Sequence, residues 1–321
     1  MTINPCPSIQ TLMKKTAGFF FCIFFCLPLS AQIHAADSTV QVAGHWHMHD
    51  KQNYHVTEES NVIKNEADTI NAAKITYQLD IEILDDSEDS YTIQWLSHDY
   101  RIIKATDRQL IPLYKLGENS RIVFRTTETG KFKEIVNGDE LLEHNKKEFE
   151  LLVSQYDTIP AVKQWIDEFK DRYTTRETIE TTAARLINQF YAFHGANYKL
   201  GEEVNSQVKL SNPYSGIPFD AAMTVSLDEM DTLNDYSILR MWQTANSKQL
   251  SRFAQNLIKE VAREMNVDVK ERLQNISPLI NETRIASQIH GSTGWVIYCT
   301  QTTEVSLDNV LNIEETTIEL Q

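Results

Sequence analysis

The stretch Ile75-Thr76-Tyr77-Gln78-Leu79-Asp80-Ile81-Glu82-Ile83 alternates apolar and polar residues; an acidic run, Asp85 to Ser90 (DDSEDS), then leads into Tyr91-Thr92-Ile93-Gln94-Trp95, which alternates again. Side chains two apart lie on one face of a strand. Ile75, Tyr77, Leu79, Ile81 and Ile83 therefore share a face, as do Tyr91, Ile93 and Trp95, and the charged run between them reads as a hairpin turn. A second hairpin follows in RIVFRTTETGKFKEIV, turning at Thr129-Gly130.

Beyond Asn137-Gly138 the period changes from two to that of a helix. Leu142, Phe149, Leu152, Val153 and Tyr156 form one stripe. Val162, Trp165, Ile166, Phe169 and Tyr173 form a second after Pro160, and Ile179, Ala183, Leu186, Ile187, Phe190 and Phe193 a third. This predicts a three-helix insert over about 139–194. Strands are expected again at 202–210, 219–228 and 236–243. A further helix is expected at about 247–265, capped by Asn246 or Ser247, and then strands at 280–290, 295–306 and 311–320. Strands, then helices, then strands make an α+β fold on an antiparallel sheet, not a doubly wound one. Residues 37–321 read as a single domain, or as two intimate halves meeting near 195–200.

With 41% hydrophobic and 23% charged residues the chain is too apolar for wholesale disorder. Its first 36 residues differ from the rest: Lys14-Lys15, the apolar run Ala17 to Leu29, then small residues at Ser30-Ala31 and Ala35-Ala36. That order is a secretory signal, expected to start at Met13 and to be cleaved after Ala31 or Ala36. The apolar run is too short for a membrane span. Cys22 and Cys26 lack the small residue that precedes a lipidated cysteine. The expected location is periplasmic or extracellular, with no membrane span in the mature chain.

Removing residues 1–36 takes away two lysines and no acid, which moves the net charge from −15 to −17. Such a chain repels phosphate backbones and anionic lipid surfaces, so nucleic acid is not an expected partner. Cys299 alone would remain, so no intrachain disulfide can form.

The ten glycines nowhere spell G-x-G-x-x-G or a P-loop, and there is no G-x-S-x-G, H-E-x-x-H or C-x-x-C. The acidic runs DDSEDS and DEMDTLND (228–235) lack the glycine and distal glutamate of a calcium loop and read as solvated turns. Cys299 lies mid-strand without a neighbouring histidine and reads as a small buried apolar residue.

The remaining candidate is His45-Trp46-His47-Met48-His49-Asp50. As a strand it would turn Trp46 and Met48 to the core and the three histidines outward. His45 and His47 would then be close enough to chelate one metal, zinc by its chemistry, with His49 too far to join and His55, His98 and Asp99 as remote ligands. A solvated strand face without metal, or a pH-sensitive patch, accounts for the same pattern. A metal-dependent enzyme or metal-binding protein built on His45 and His47 is thus one reading. The leading one is a non-catalytic envelope protein without a cofactor.

The element order, closed by the hairpin RIASQIHGSTGWVIYCTQTTEV (284–305), resembles secreted bacterial proteins of unknown function and, more distantly, periplasmic lipoprotein-carrier-like half-barrels. The resemblance implies an open, curved sheet wrapped round helices, with an apolar concavity between them. A lipid or lipopeptide ligand, or another envelope protein, is the partner it implies.

Overall fold

In the computed structural model the described residues are 32–65, 67–107, 111–155, 170, 174–210, 217–264, 267–268 and 277–321, and they fall within one compact unit, Ala31–Gln321. In chain order the elements are β1 (Ile33–His34), β2 (Thr39–Val42), β3 (Lys51–Lys64), β4 (Asp68–Ser87), β5 (Ser90–Ala105), α1 (Ile111–Tyr114), β6 (Arg121–Thr126) and β7 (Phe132–Ile135). Then come α2 (Gly138–Gln155), α3 (Arg176–Phe190), β8 (Ala196–Lys199), β9 (Glu203–Leu210), β10 (Phe219–Asp231), β11 (Tyr236–Ala245), α4 (Ser247–Glu264), β12 (Ile280–His290), β13 (Val296–Leu307) and β14 (Val310–Leu320).

Eleven of these strands form one sheet in the order β7-β6-β5-β4-β3-β14-β13-β12-β11-β10-β9, antiparallel at every step. The N-terminal strands build outward from β3 to one edge. The C-terminal strands build inward from the other edge to β14. The halves join where β14 pairs with β3, with Ile318 opposite Val56. The edge strands β7 and β9 do not pair with each other, so among the described residues the sheet is open and not a closed barrel. A separate small sheet, β1-β2-β8, holds the segment from Gln32 against the residues that follow α3.

The alternation in β4 and β5 is the reason for this layering. Ile75, Tyr77, Leu79, Ile81 and Ile83 are buried, and Ile93 and Trp95 oppose Ile83 and Ile81 across the hairpin on the same face. Their other face carries Lys51, Glu82, Lys74 and Glu59 in exposed ion pairs that contribute little. The buried face receives α3. Thr175 caps that helix, its hydroxyl accepting the Thr178 amide, and Phe190 packs edge-on against Tyr54 and Trp95. The turn at Thr129-Gly130 is as expected, with Gly130 at φ +87°, which glycine adopts without strain.

Two of the three expected insert helices are present as α2 and α3; the middle one, 162–173, lies outside the described residues apart from Lys170. The helix at 247 begins as anticipated, with the Gln249 amide donating to the Asn246 side chain at 3.1 Å.

HWHMHD is not a strand. The segment is a loop whose carboxylate at Asp50 accepts the His47 amide at 2.8 Å while the Asp50 amide donates to the His47 carbonyl, and His49 turns the chain at φ +75°. Trp46 faces inward, at 1% exposure, but Met48 is 49% exposed. Period-two placement fails once the turn begins. The strand starts one residue later, as β3, whose polar composition hides it.

Candidate functional site

Between the buried face of the sheet and the helices lies a cavity of about 360 Å³. Its floor comes from β3, β4, β5, β13 and β14. One wall is α3, through Ile179, Ala183 and Leu186; the other is α2, through Leu141 and Phe149, with Leu113 and Leu116 from α1 and its following turn. The reason for the gap lies in how the apolar side chains divide. Phe149 and Leu152 pack with Leu113, Leu116 and Val153 into a cluster of their own, apart from the main core that contains Tyr77, Leu79, Trp95 and Ile187. The stripe on α2 is satisfied by α1, so the helix does not fill the space above β4.

Aromatic rings furnish one side of the cavity. Tyr77 and Tyr100 stack with centroids 4.3 Å apart and planes 3° from parallel, and Tyr77 Oη donates to Glu58 Oε1 at 2.9 Å. Burial, then the adjacent Glu58 charge, pushes the Tyr77 hydroxyl well above the ordinary phenol range, so it stays a proton donor. A Cβ on Gly117 would come within 2.6 Å of Tyr100 Oη, which leaves glycine the residue that lets the chain pass this close. Ser97 Oγ fastens the same turn by donating to the Gly117 carbonyl at 2.6 Å. On α3, Arg185 lies 3.6 Å from Glu314 of β14, and the buried Gln189 amide donates to the Thr316 carbonyl at 3.1 Å.

Cys299 is buried at the base of α3. Burial lifts its thiol to about 11, and Sγ lies 3.7 Å from the Gln189 carbonyl, to which it donates. It packs as a small apolar residue and holds no thiolate at neutral pH.

The histidines of the opening loop stand elsewhere. The His45 amide donates to the Thr293 carbonyl. His47 Nδ1 lies 3.8 Å from Asp86 Oδ2, and His49 Nδ1 lies 3.8 Å from Glu82. His55 and His98 flank Gln78 across β3, β4 and β5, where His98 contacts Asp80 at 3.2 Å and Asp99 at 3.1 Å. His45 and His47 thus flank Trp46 in a loop, not two positions along one strand face. Among the described residues no group of three His, Cys, Asp or Glu side chains is gathered as a metal would require.

Of the large aromatic residues on the helical stripes, Phe149 lines the cavity, Phe190 and Phe193 are core, and Trp165 and Phe169 lie outside the described residues. Glu58, Tyr100 and Arg185 gave no sequence signal. Tyr54 and Val56 begin an inward-facing series in β3 that continues into Glu58, and that series was the one available pointer.

No known protein family and no curated protein matches this chain. Among solved structures, a lipovitellin described for its lipid–protein interactions is similar at 10% identity and a TM-score of 0.36, over 84% of this chain. This chain spans 25% of that lipovitellin chain. A protein from Bacteroides fragilis, described as exported and of YmcC-like fold, is similar at 6% identity and a TM-score of 0.23, over 87% of this chain and 99% of that one. Both likenesses are weak. No described helix is long and apolar enough to cross a membrane.

Proposed function

We propose that this protein is exported into the bacterial envelope and holds the apolar chain of a lipid or lipopeptide between its sheet and its helices, without catalysing a reaction on it. The observation that carries this reading is the division of the apolar residues into two clusters with a cavity of about 360 Å³ between them. Protein interiors are close-packed, with few voids larger than a water molecule, whereas ligand sites run from about 300 to 1,000 Å³. Leu, Ile and aromatic side chains line much of the gap, with Glu58, Arg185 and Glu314 among the polar groups beside them, a mixture that suits a guest with an apolar chain. In this reading the sheet curves round the helices, and the N-terminal order of Lys14-Lys15, apolar run and small residues directs export.

Native mass spectrometry of protein purified from its own envelope tests the reading. A bound species that organic extraction removes, and that partitions as a lipid, supports it. A ligand-free mass, with no uptake of added alkyl compounds, contradicts it.

A further inference from the structure

Across the strand order the cavity floor has an apolar side, Ile75 and Leu79 of β4, Trp95 of β5 and Ile122 of β6, and a polar side, Glu58 of β3, Glu314 and Thr316 of β14 and Gln301 of β13. Val56 of β3, Ile318 of β14 and Cys299 of β13 stand opposite one another, and all three are fully buried. Two residues along the same strands the row becomes Glu58, Thr316 and Gln301, and all three line the cavity. Along these strands the closed core thus gives way to the polar side of the cavity within about 7 Å. An occupant that fits both sides has an apolar tail and a polar head.

The charges around that head are specific. Among the described residues the charged side chains lining the cavity are Glu58, Glu314 and Arg185. Arg185, the cation among the described lining residues, is 3.6 Å from Glu314 and so lies beside one of the two carboxylates. Glu58 accepts a hydrogen bond from Tyr77 and makes no ion pair among the described residues. Beside it stands the stacked Tyr77–Tyr100 pair, in which each ring covers one face of the other. A carboxylate or phosphate head placed here would meet Glu58, and among the described residues no unpaired cation lines the cavity to offset the repulsion. An ammonium would meet a carboxylate beside two tyrosines that line the cavity.

We infer that the occupant is a single-chain amphiphile with a positively charged amine head, bound with its nitrogen at Glu58 and its alkyl chain running toward Leu113, Leu141 and Phe149. The inference rests on the groove reading above and adds the chemistry of the head.

Dodecylamine, dodecanoate and dodecanol, each below its micelle concentration at neutral pH, are competed against the neutral apolar dye N-phenyl-1-naphthylamine on the full protein. Dodecylamine is expected to displace the dye at a concentration roughly tenfold lower than dodecanoate, the size of one charge-assisted contact. In Glu58→Gln, checked for its fold by circular dichroism, the preference shrinks to within about threefold as that contact is lost. Arg185→Gln frees Glu314 and widens it, and this variant decides the matter should Glu58→Gln fail to fold. Dodecanoate binding as tightly as dodecylamine, or a preference unchanged in the variants, overturns the amine head. In that case dodecanol displacing the dye still leaves the groove reading standing. If the dye does not bind and none of the three alkyl compounds associates, the groove reading falls and this inference with it.

Discussion

Tyr77 Oη donates to Glu58 at 2.9 Å from a buried ring at the edge of the cavity, so a phenol of the core and a carboxylate on the cavity floor depend on each other. Removing the donor leaves a half-buried carboxylate short of a partner. Tyr77→Phe is expected to lower unfolding stability by about 1–2 kcal/mol in urea melts, more than a lost surface hydrogen bond would. In Tyr77→Phe/Glu58→Gln the cost should fall below the sum of the two single changes, because the orphaned charge is gone. Strict additivity would show that the pair is not coupled.

Trp46 and His47 adjoin in sequence and differ entirely in setting. The indole is 1% exposed and packs against Tyr91, Tyr191, His194 and Trp295, whereas the imidazole is solvated. Trp46→Ala is expected to cost about 3–5 kcal/mol and His47→Ala less than about 0.5 kcal/mol. Thermal and chemical melts of the two variants check this. A costly His47→Ala would mean that the loop depends on the imidazole, through a metal or another partner.

Stability should fall on acidification through His194. Burial holds its pKa down to about 4, and the hydrogen bond between Nε2 and the Gly294 carbonyl offsets only part of that. The unfolded ring titrates near 6.5, so between about 6.5 and 4 the unfolded chain binds the proton and the folded chain does not. The contribution is complete above about pH 6.5 and is lost as pH falls toward 4, to about 3 kcal/mol in all. His98 works in the opposite sense. Its half-exposed ring loses some affinity for the proton to burial but gains more from Asp80 and Asp99, which raises its pKa and adds a small stability present at low pH and lost as pH rises. His194→Gln should flatten the acid limb of a stability–pH curve. An unchanged limb would assign it to the carboxylates.

The described residues ahead of one of the two expected cleavage points are already part of the fold. The Gln32 side chain donates to the Ala43 carbonyl and accepts from the Ala43 amide at 3.3 Å, and Ile33 and His34 pair with Val40 and Thr39. Cleavage after Ala36 would discard this strand; cleavage after Ala31 keeps it. Mass-spectrometric reading of the exported protein should find Gln32 first. An N-terminus at Asp37 would show that β1 is dispensable.

The sequence disclosed the strands wherever inward positions are apolar and the pattern runs for several residues, as from Ile75 to Ile83 and along β10 to β14. It disclosed α2 and α4 by their stripes. It concealed β3, because after Tyr54 and Val56 the inward series continues with Glu58 and Ser60, which read as surface. The concealment has a cause: that is where the strand leaves the core and floors the cavity, and a lining position that carries a carboxylate breaks the alternation that marks a strand. The short helix α1 was hidden by its four-residue length, yet its neighbourhood takes up the apolar stripe of α2 and so leaves the cavity open. In HWHMHD the burial of Trp46 was legible and the turn at His47–Asp50 was not, since an Asp side chain capping its own loop has no period to detect.

The central claim is that an apolar chain occupies the space between β4 and the helices, and Ala183 tests it most directly. Its methyl lines the cavity from α3, so Ala183→Trp fills the space without adding charge. The wild-type protein should bind N-phenyl-1-naphthylamine saturably, with one site per chain, and Ala183→Trp should lose that binding while keeping a cooperative thermal transition. Equal dye binding by a folded Ala183→Trp variant would contradict the account.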